Sequence, residues 1–137
     1  MISGFALDFA EGRVVKVTAE HGESVLRQLV ETDAGAGRLG EIALVPHSSP
    51  ISQSGLLFYN TLFDENAASH VALGSAYKFT LAGGDSMDDE EFERAGGNRS
   101  AIHVDFMIGS ADLDVDGIAS DGRAEPLMRR GEWAVPI

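Results

Sequence analysis

The sequence predicts an α+β domain in which a few helices accompany a mostly antiparallel or mixed sheet. Segments in which apolar and polar residues alternate open the chain, and such segments recur in its last third. One segment has apolar residues at helical spacing, and glycine or proline separates the segments. The 137 residues are enough to bury a core, so we predict a single domain over residues 1–137.

The chain opens with a predicted β-hairpin that is followed by a helix. FALDF (5–9) and RVVKVTAE (13–20) alternate at period two on either side of a short connection. The next segment, GESVLRQLVET (22–32), is predicted to form an amphipathic helix. The apolar residues on one face of this helix are Val25, Leu26, Leu29 and Val30.

The middle of the chain is predicted to contain a strand and a loop. EIALVP (41–46) is a short apolar run that Pro46 ends, which is typical of a strand. Residues 47–55 are rich in turn-forming residues and predict a loop. Residues 55–63 (GLLFYNTLF) are apolar, and their periodicity fits either a strand or a helix.

The second half of the chain is predicted to contain two helices and several strands. DENAASHVALGSAY (64–77) is alanine-rich and predicts a helix for which Asp64 is a candidate N-cap. The acidic stretch at 85–94 predicts a solvated loop that runs into a short helix. Further strands are predicted at 101–110, 113–119 and 125–137.

Composition limits the partners of the chain. The net charge of −12 opposes nucleic-acid binding, because phosphates are neutralised by Lys and Arg, and it disfavours anionic membranes. No apolar run approaches the roughly 18 residues that a membrane helix needs, and residues 1–9 lack the features of a signal peptide. Without cysteine, a metal site would use histidine and carboxylate ligands, and we expect a cytoplasmic location.

An aspartate-rich segment resembles half of a calcium loop. Asp112, Asp114 and Asp116 precede Gly117 at the spacing of the first half of an EF-hand. The twelfth position of that loop requires a bidentate glutamate, but Arg123 stands there. We therefore favour an aspartate-rich strand that ends in a turn at Asp116 and Gly117 over a calcium site.

A second pair of residues fits a transition metal. His103 and Asp105 are two positions apart in a predicted strand, so their side chains point to the same face. Val104 and Phe106 would then face the core. Imidazole and carboxylate are ligands of zinc, manganese and cobalt, although an ordinary polar strand face yields the same pair.

Three further residues are candidates for the same site. His70 and Tyr77 would share a helix face if the helix at 64–77 is continuous, and Glu65 would reach that face from the helix entrance. The structural alternatives are a hydrogen-bonded histidine and a core tyrosine. Glu41 begins an apolar strand, where its carboxylate is either exposed or directed into a site.

Three long blocks resemble one family of enzymes. Residues 40–52, 58–77 and 98–118 are similar in order and spacing to the aminopeptidase T, aminopeptidase S and PepS family of metal-dependent aminopeptidases. The resemblance extends from the opening hairpin to GEWAV. It implies two divalent ions (zinc, cobalt, manganese or magnesium), peptide substrates with a free N-terminus, and a homodimer.

The resemblance also implies roles for individual residues. Tyr77 would be catalytic and would donate a hydrogen bond to the oxyanion that forms during peptide hydrolysis. Glu65 would be either a ligand or the general base. Glu41 would bridge two ions. The implied metal ligands are Glu41, Glu65, His70, His103 and Asp105.

Members of this family are much longer than this chain. The resemblance implies that residues 1–137 are the C-terminal metal-binding portion of a two-domain aminopeptidase, and that an N-terminal region with a further glutamate ligand is absent. The alternative is a catalytically incomplete fragment with a structural, dimerisation or metal-binding role.

Overall fold

The structure, a computed structural model, describes residues 2–134 and has the predicted α+β class. The α-helices in this range are α1 (Glu23–Val30), α2 (Pro50–Ser54), α3 (Thr61–Asp64) and α4 (Asp89–Arg94). The strands are β1 (Ser3–Ala10), β2 (Arg13–His21), β3 (Leu39–Ala43), β4 (His70–Gly74), β5 (His103–Met107), β6 (Val115–Ile118), β7 (Ala124–Arg129) and β8 (Glu132–Trp133).

The strands form three sheets within the described range. β1 and β2 pair in an antiparallel hairpin, β3, β4 and β5 form a sheet with β4 in the middle, and β6, β7 and β8 form an antiparallel sheet. The chain divides into two compact units. The first unit comprises Met1–Glu41 and Ala72–Asp105, and the second comprises Ile42–Val71 and Phe106–Ile137. Across the described residues, no helix has the length and apolar character needed to traverse a membrane.

The predicted hairpin and the helix after it are confirmed in the first unit. Leu26 of α1 and Val17 of β2 are both buried, and Arg27 Nη2 donates a hydrogen bond of 2.6 Å to the Val17 carbonyl. This contact holds α1 against the hairpin. The apolar face is narrower than predicted, because Val25 is half exposed at its margin.

Asp33 joins the loop after α1 to the residues before β5. Its Oδ1 accepts hydrogen bonds from the backbone N–H groups of Gly35 and Ala36, both at 2.9 Å. Its Oδ2 accepts from the Ala101 N–H at 2.7 Å and from the Ser100 hydroxyl at 3.0 Å. These donors, the Ala101 N–H above all, hold the pKa of the Asp33 carboxyl below its usual value because they stabilise the charged form. The start of β5 is thereby fixed.

The acidic stretch at 85–94 contains the predicted short helix. Asp88 caps α4 by accepting a hydrogen bond from the Glu91 N–H, and the Glu91 side chain accepts one from the Asp88 N–H. Phe92 is buried on the inner face of α4. A cap at one end and one buried aromatic residue are what stabilise so short a helix.

The helix predicted for residues 64–77 is wrong. A short 3-10 helix covers Glu65–Ala67, and His70–Gly74 form strand β4. β4 is the middle strand of its sheet and is buried along nearly its whole length, and its residues Val71, Ala72 and Leu73 form an apolar run that lacks the alternation of an exposed strand. A buried strand of this kind cannot be distinguished from a buried helix by periodicity.

Residues 55–63, whose structure the sequence left open, have no strand. The segment is irregular until Asn60, whose side chain caps α3 by accepting a hydrogen bond of 3.1 Å from the Leu62 N–H. The predicted N-cap role of Asp64 is wrong. Asp64 lies at the end of α3, and its carboxylate accepts hydrogen bonds from the N–H groups of Phe58 and Asn60.

The aspartate-rich segment forms part of a sheet in the second unit. Asp116 forms an ion pair with Arg129, and Asp114 accepts a hydrogen bond of 2.8 Å from the Arg130 N–H. Two of the three carboxylates of the calcium-like motif are therefore already bound by N–H groups of the protein. The turn predicted at Asp116 and Gly117 is wrong, because both residues lie within β6.

The hairpin turn lies further along the chain. Ala119 N–H donates a hydrogen bond of 2.9 Å to the carbonyl of Arg123, and Gly122 adopts the positive φ of 82° that this turn requires. The strands predicted at 125–137 correspond to the greater part of β7 and to β8. Positions 135–137 of that prediction lie outside the described residues.

Candidate metal centre

Three of the predicted ligands come together in the first unit. Glu41 lies on β3, and His103 and Asp105 lie on β5 with one residue between them. Each residue offers a ligand atom, and these atoms lie within 4.8 Å of one another. The period-two prediction that His103 and Asp105 point to the same side is confirmed by this convergence.

A backbone carbonyl sets the orientation of the His103 ring. Nδ1 of His103 lies 2.7 Å from the carbonyl oxygen of Ser75, which can only accept a hydrogen bond. Nδ1 therefore carries the proton in the neutral ring, and Nε2 presents its lone pair. Nε2 lies 3.4 Å from Glu41 Oε2 and 3.3 Å from Asp105 Oδ1.

The electrostatics of this group favour a cation. The side chains of Glu41, His103 and Asp105 are 27%, 17% and 10% exposed, so water screens their mutual repulsion only in part. Oδ1 of Asp105 is buried, and no hydrogen-bond donor reaches it from residues 2–134. A buried carboxylate oxygen without a donor is costly unless a positive charge lies beside it.

The two distances from His103 Nε2 fit a metal ion better than a proton. A proton on Nε2 points along one direction and can bond well to only one carboxylate. Ligands at 2.0–2.2 Å from a tetrahedral ion lie about 3.4 Å apart, which agrees with both distances from Nε2. The donor set of one imidazole and two carboxylates suits zinc, manganese or cobalt.

Tyr77 lies beside the same group. Its ring centroid is 4.7 Å from that of His103, with an angle of 44° between the ring planes, and the side chain is 42% exposed. The prediction that Tyr77 shares a helix face with His70 is wrong, because Tyr77 lies in an extended segment after β4. The tyrosine thus contacts the imidazole of a candidate ligand and is also open to solvent.

The other two predicted ligands lie in the second unit. Glu65 begins the 3-10 helix before β4, and His70 is the first residue of β4 and is 2% exposed. His70 Nδ1 lies 3.0 Å from the Ala68 carbonyl, so the neutral ring carries its proton on Nδ1 and presents the lone pair of Nε2. A carboxylate oxygen of Glu65 lies within 4.8 Å of a ring nitrogen of His70.

Ser75 was not predicted from the sequence. Its contribution to the site is a backbone carbonyl, which every residue possesses, so no feature of the residue type marks it. The residue before it, Gly74, is a glycine that the local backbone requires, so its residue type could have marked this position. Gly74 adopts a φ of 101°, and a Cβ at this position would lie 2.1 Å from the carbonyl oxygen of Ile102.

Replacing Gly74 with alanine is expected to lower the free energy of unfolding by about 3 kcal/mol, because backbone strain and a clash with the neighbouring backbone add together. Gly96→Ala is the matched control. Gly96 has a φ of 100°, and a Cβ there would have open space around it, so this variant should lose only about 1 kcal/mol of unfolding free energy. Urea denaturation measures both, and equal losses would contradict a steric requirement at Gly74.

The geometry of the ligand group and the sequence relatives of the chain both indicate a metal-binding protein. A histidine nitrogen that faces two carboxylates is typical of proteins that bind divalent metals through nitrogen and oxygen ligands. The sequence model described as Thermophilic metalloprotease (M29) matches residues 1–133. The chain belongs to this family, which confirms the resemblance drawn from its three sequence blocks.

Known proteins similar to this chain are named aminopeptidases. Aminopeptidase AmpS of Bacillus subtilis is 58% identical over 98% of this chain and 33% of its own length. Aminopeptidase T of Thermus thermophilus is 55% identical over the same shares of the two chains. The solved structure of wild-type AmpT from Thermus thermophilus matches with a TM-score of 0.85 at 54% identity, over 98% of this chain and 32% of that one. The chain therefore spans about a third of the length of these relatives.

Proposed function

We propose that residues 1–137 act as the C-terminal metal-binding domain of a metal-dependent aminopeptidase, which removes residues from the free N-terminus of peptides. The observation that carries this proposal is the group of Glu41, His103 and Asp105, in which two carboxylates face the lone pair of one imidazole nitrogen. Membership of a metalloprotease family and the names of the relatives support it.

We further propose that the chain contributes ligands to two divalent ions, which are zinc, cobalt, manganese or magnesium. Glu41, His103 and Asp105 are the proposed ligands of one ion, and Glu65 and His70 are proposed ligands of the other. Both histidines bond a carbonyl through Nδ1, so both present Nε2 as a ligand atom in the neutral state. The absence of cysteine is compatible with nitrogen and oxygen ligands alone.

The chemistry of the proposed reaction is divided between the ions and the side chains. Divalent ions supply Lewis-acid chemistry, because they polarise a carbonyl and lower the pKa of water. Tyr77 is placed beside His103 and is exposed, so its hydroxyl can donate a hydrogen bond to an oxyanion that develops there. Glu65 acts either as a ligand or as the general base. The surplus of carboxylates attracts the ammonium group of the substrate.

We also propose that the protein is a cytoplasmic homodimer that binds neither nucleic acid nor membranes. The net charge of −12 opposes contact with phosphate-rich partners. A contiguous segment of the second unit exposes large apolar side chains, as expected of a surface that another protein chain covers. These residues are Leu56, Leu57, Phe58, Tyr59, Leu62 and Phe63.

An assay of the chain with aminoacyl anilides tests the proposed function. With added cobalt or zinc, we expect release of aniline from leucine, arginine or phenylalanine anilides, and we expect a chelator to stop it. Binding of metal without any hydrolysis would favour the alternative, a domain with a metal-binding or dimerisation role. Absence of both metal binding and hydrolysis would rule out the proposal.

A further inference from the structure

Tyr77 contacts both a candidate metal ligand and a second aromatic ring. Its ring centroid lies 4.7 Å from that of the His103 imidazole. The Tyr77 ring also stacks on Phe79, with ring centroids 5.2 Å apart and an angle of 16° between the planes. Phe79 is 70% exposed. Tyr77 thus connects the ligand group to an exposed aromatic ring.

The protein holds Phe79 in this position from both sides. Lys78, the residue before it, donates a hydrogen bond of 2.8 Å to the Met87 carbonyl and pairs with Asp89 at 2.9 Å. Thr80, the residue after it, donates a hydrogen bond of 2.7 Å from its hydroxyl to the Tyr77 carbonyl. With both neighbours fixed, the turn presents the Phe79 ring outward rather than folding it into the core.

We propose that Tyr77 and Phe79 form an aromatic platform that receives an aromatic or large aliphatic side chain of the substrate. The side chain belongs to one of the two residues that adjoin the scissile bond. This inference rests on the proposed peptidase function, because it places the scissile bond at the ligand group. Burial of an apolar side chain against stacked rings is favourable, and ring–ring contacts add specificity.

The position of the rings, more than their exposure, supports this assignment. Single exposed apolar residues are common on protein surfaces and need no function. Phe79 differs because it stacks on the tyrosine that contacts His103, so any side chain placed on the platform lies next to the candidate ligands. An apolar surface beside a polar reaction centre is the usual composition of a specificity pocket.

Kinetics with three dipeptides test the aromatic platform. Phe-Ala places the aromatic side chain before the scissile bond, Ala-Phe places it after, and Ala-Ala has no large side chain. We expect Phe79→Ala to lower kcat/KM about tenfold for one of the two phenylalanine dipeptides and less than twofold for Ala-Ala. The dipeptide that is affected shows whether the platform binds the side chain before or after the scissile bond.

Three controls make this result specific. Phe79→Tyr keeps the ring and should retain the preference of the wild-type protein. Val15→Ala truncates another exposed apolar residue of the first unit, on the β1–β2 hairpin, and should change none of the rates. The metal content of Phe79→Ala should equal that of the wild type by elemental analysis. An equal fall for all three dipeptides, or no fall for any, would overturn the platform.

A binding measurement separates this inference from the proposed function. If the metal-loaded wild type hydrolyses no dipeptide, the proposed activity fails, and calorimetry with the same three dipeptides then decides the platform alone. We expect Phe-Ala or Ala-Phe to bind about tenfold more tightly than Ala-Ala, and Phe79→Ala to remove that difference. Equal binding of all three dipeptides by the wild type would overturn the platform.

Discussion

Replacing His103 with alanine is expected to weaken metal binding by the first unit at least about a hundredfold, since loss of an outer-shell partner alone costs 10–100-fold. Nε2 of His103 lies 3.4 Å from Glu41 Oε2 and 3.3 Å from Asp105 Oδ1, so the imidazole contacts both of the other candidate ligands. Without the imidazole, two carboxylates remain as ligands. Elemental analysis after dialysis and calorimetric titration with zinc measure the change.

The control for this experiment is His21→Ala. His21 ends the opening hairpin, is exposed and belongs to the same unit. His21→Ala is therefore the same change at a histidine that is not a candidate ligand, and it should leave metal binding unchanged. Asp105→Asn provides a second test, because the amide keeps the shape of the side chain but removes its charge. A zinc stoichiometry in His103→Ala equal to that of the wild type would refute the assignment of His103 as a ligand.

Replacing Tyr77 with phenylalanine is expected to lower kcat by about 10²–10³-fold while the metal content stays constant. The substitution removes one hydroxyl group and keeps the ring, so the contacts with His103 and Phe79 are preserved. A hydrogen bond that forms to a developing oxyanion acts on the transition state, so kcat should fall with little change in KM. Steady-state kinetics with the anilide that the wild type hydrolyses best measure this split.

Tyr59→Phe is the matched control for the tyrosine experiment. Tyr59 lies in the exposed apolar segment of the second unit, and the substitution keeps its apolar ring for any protein contact there, so loss of its hydroxyl should leave both kcat and KM unchanged. The decisive comparison is between activity and metal content in Tyr77→Phe. If the two decline in proportion, Tyr77 is a metal ligand or a structural residue, and its role in oxyanion stabilisation must be abandoned.

The elements that the sequence predicts correctly are those whose signal is local. The opening hairpin has period-two alternation, and α4 has a capping pair at Asp88 and Glu91. His103 and Asp105 were expected on one face of a strand for the same reason, since the alternation of a strand depends only on the backbone. Their convergence with Glu41 required the resemblance to a family, because no spacing in the sequence relates β3 to β5.

The error at residues 64–77 has a physical cause that also affects the site. β4 pairs on both edges and is buried, and its apolar run Val71, Ala72 and Leu73 lacks the alternation that would have identified a strand. The predicted common face of His70 and Tyr77 was lost with the helix. Both residues remain candidates because each makes its own contacts, His70 with Ala68 and Tyr77 with His103.

Anomalous diffraction from crystals soaked in zinc or cobalt is the sharpest test of whether Glu41, His103 and Asp105 bind a divalent cation. We expect an anomalous peak about 2.0–2.2 Å from Nε2 of His103 and from an oxygen of each carboxylate. If these crystals show no anomalous peak at this position, the three residues do not form a metal site.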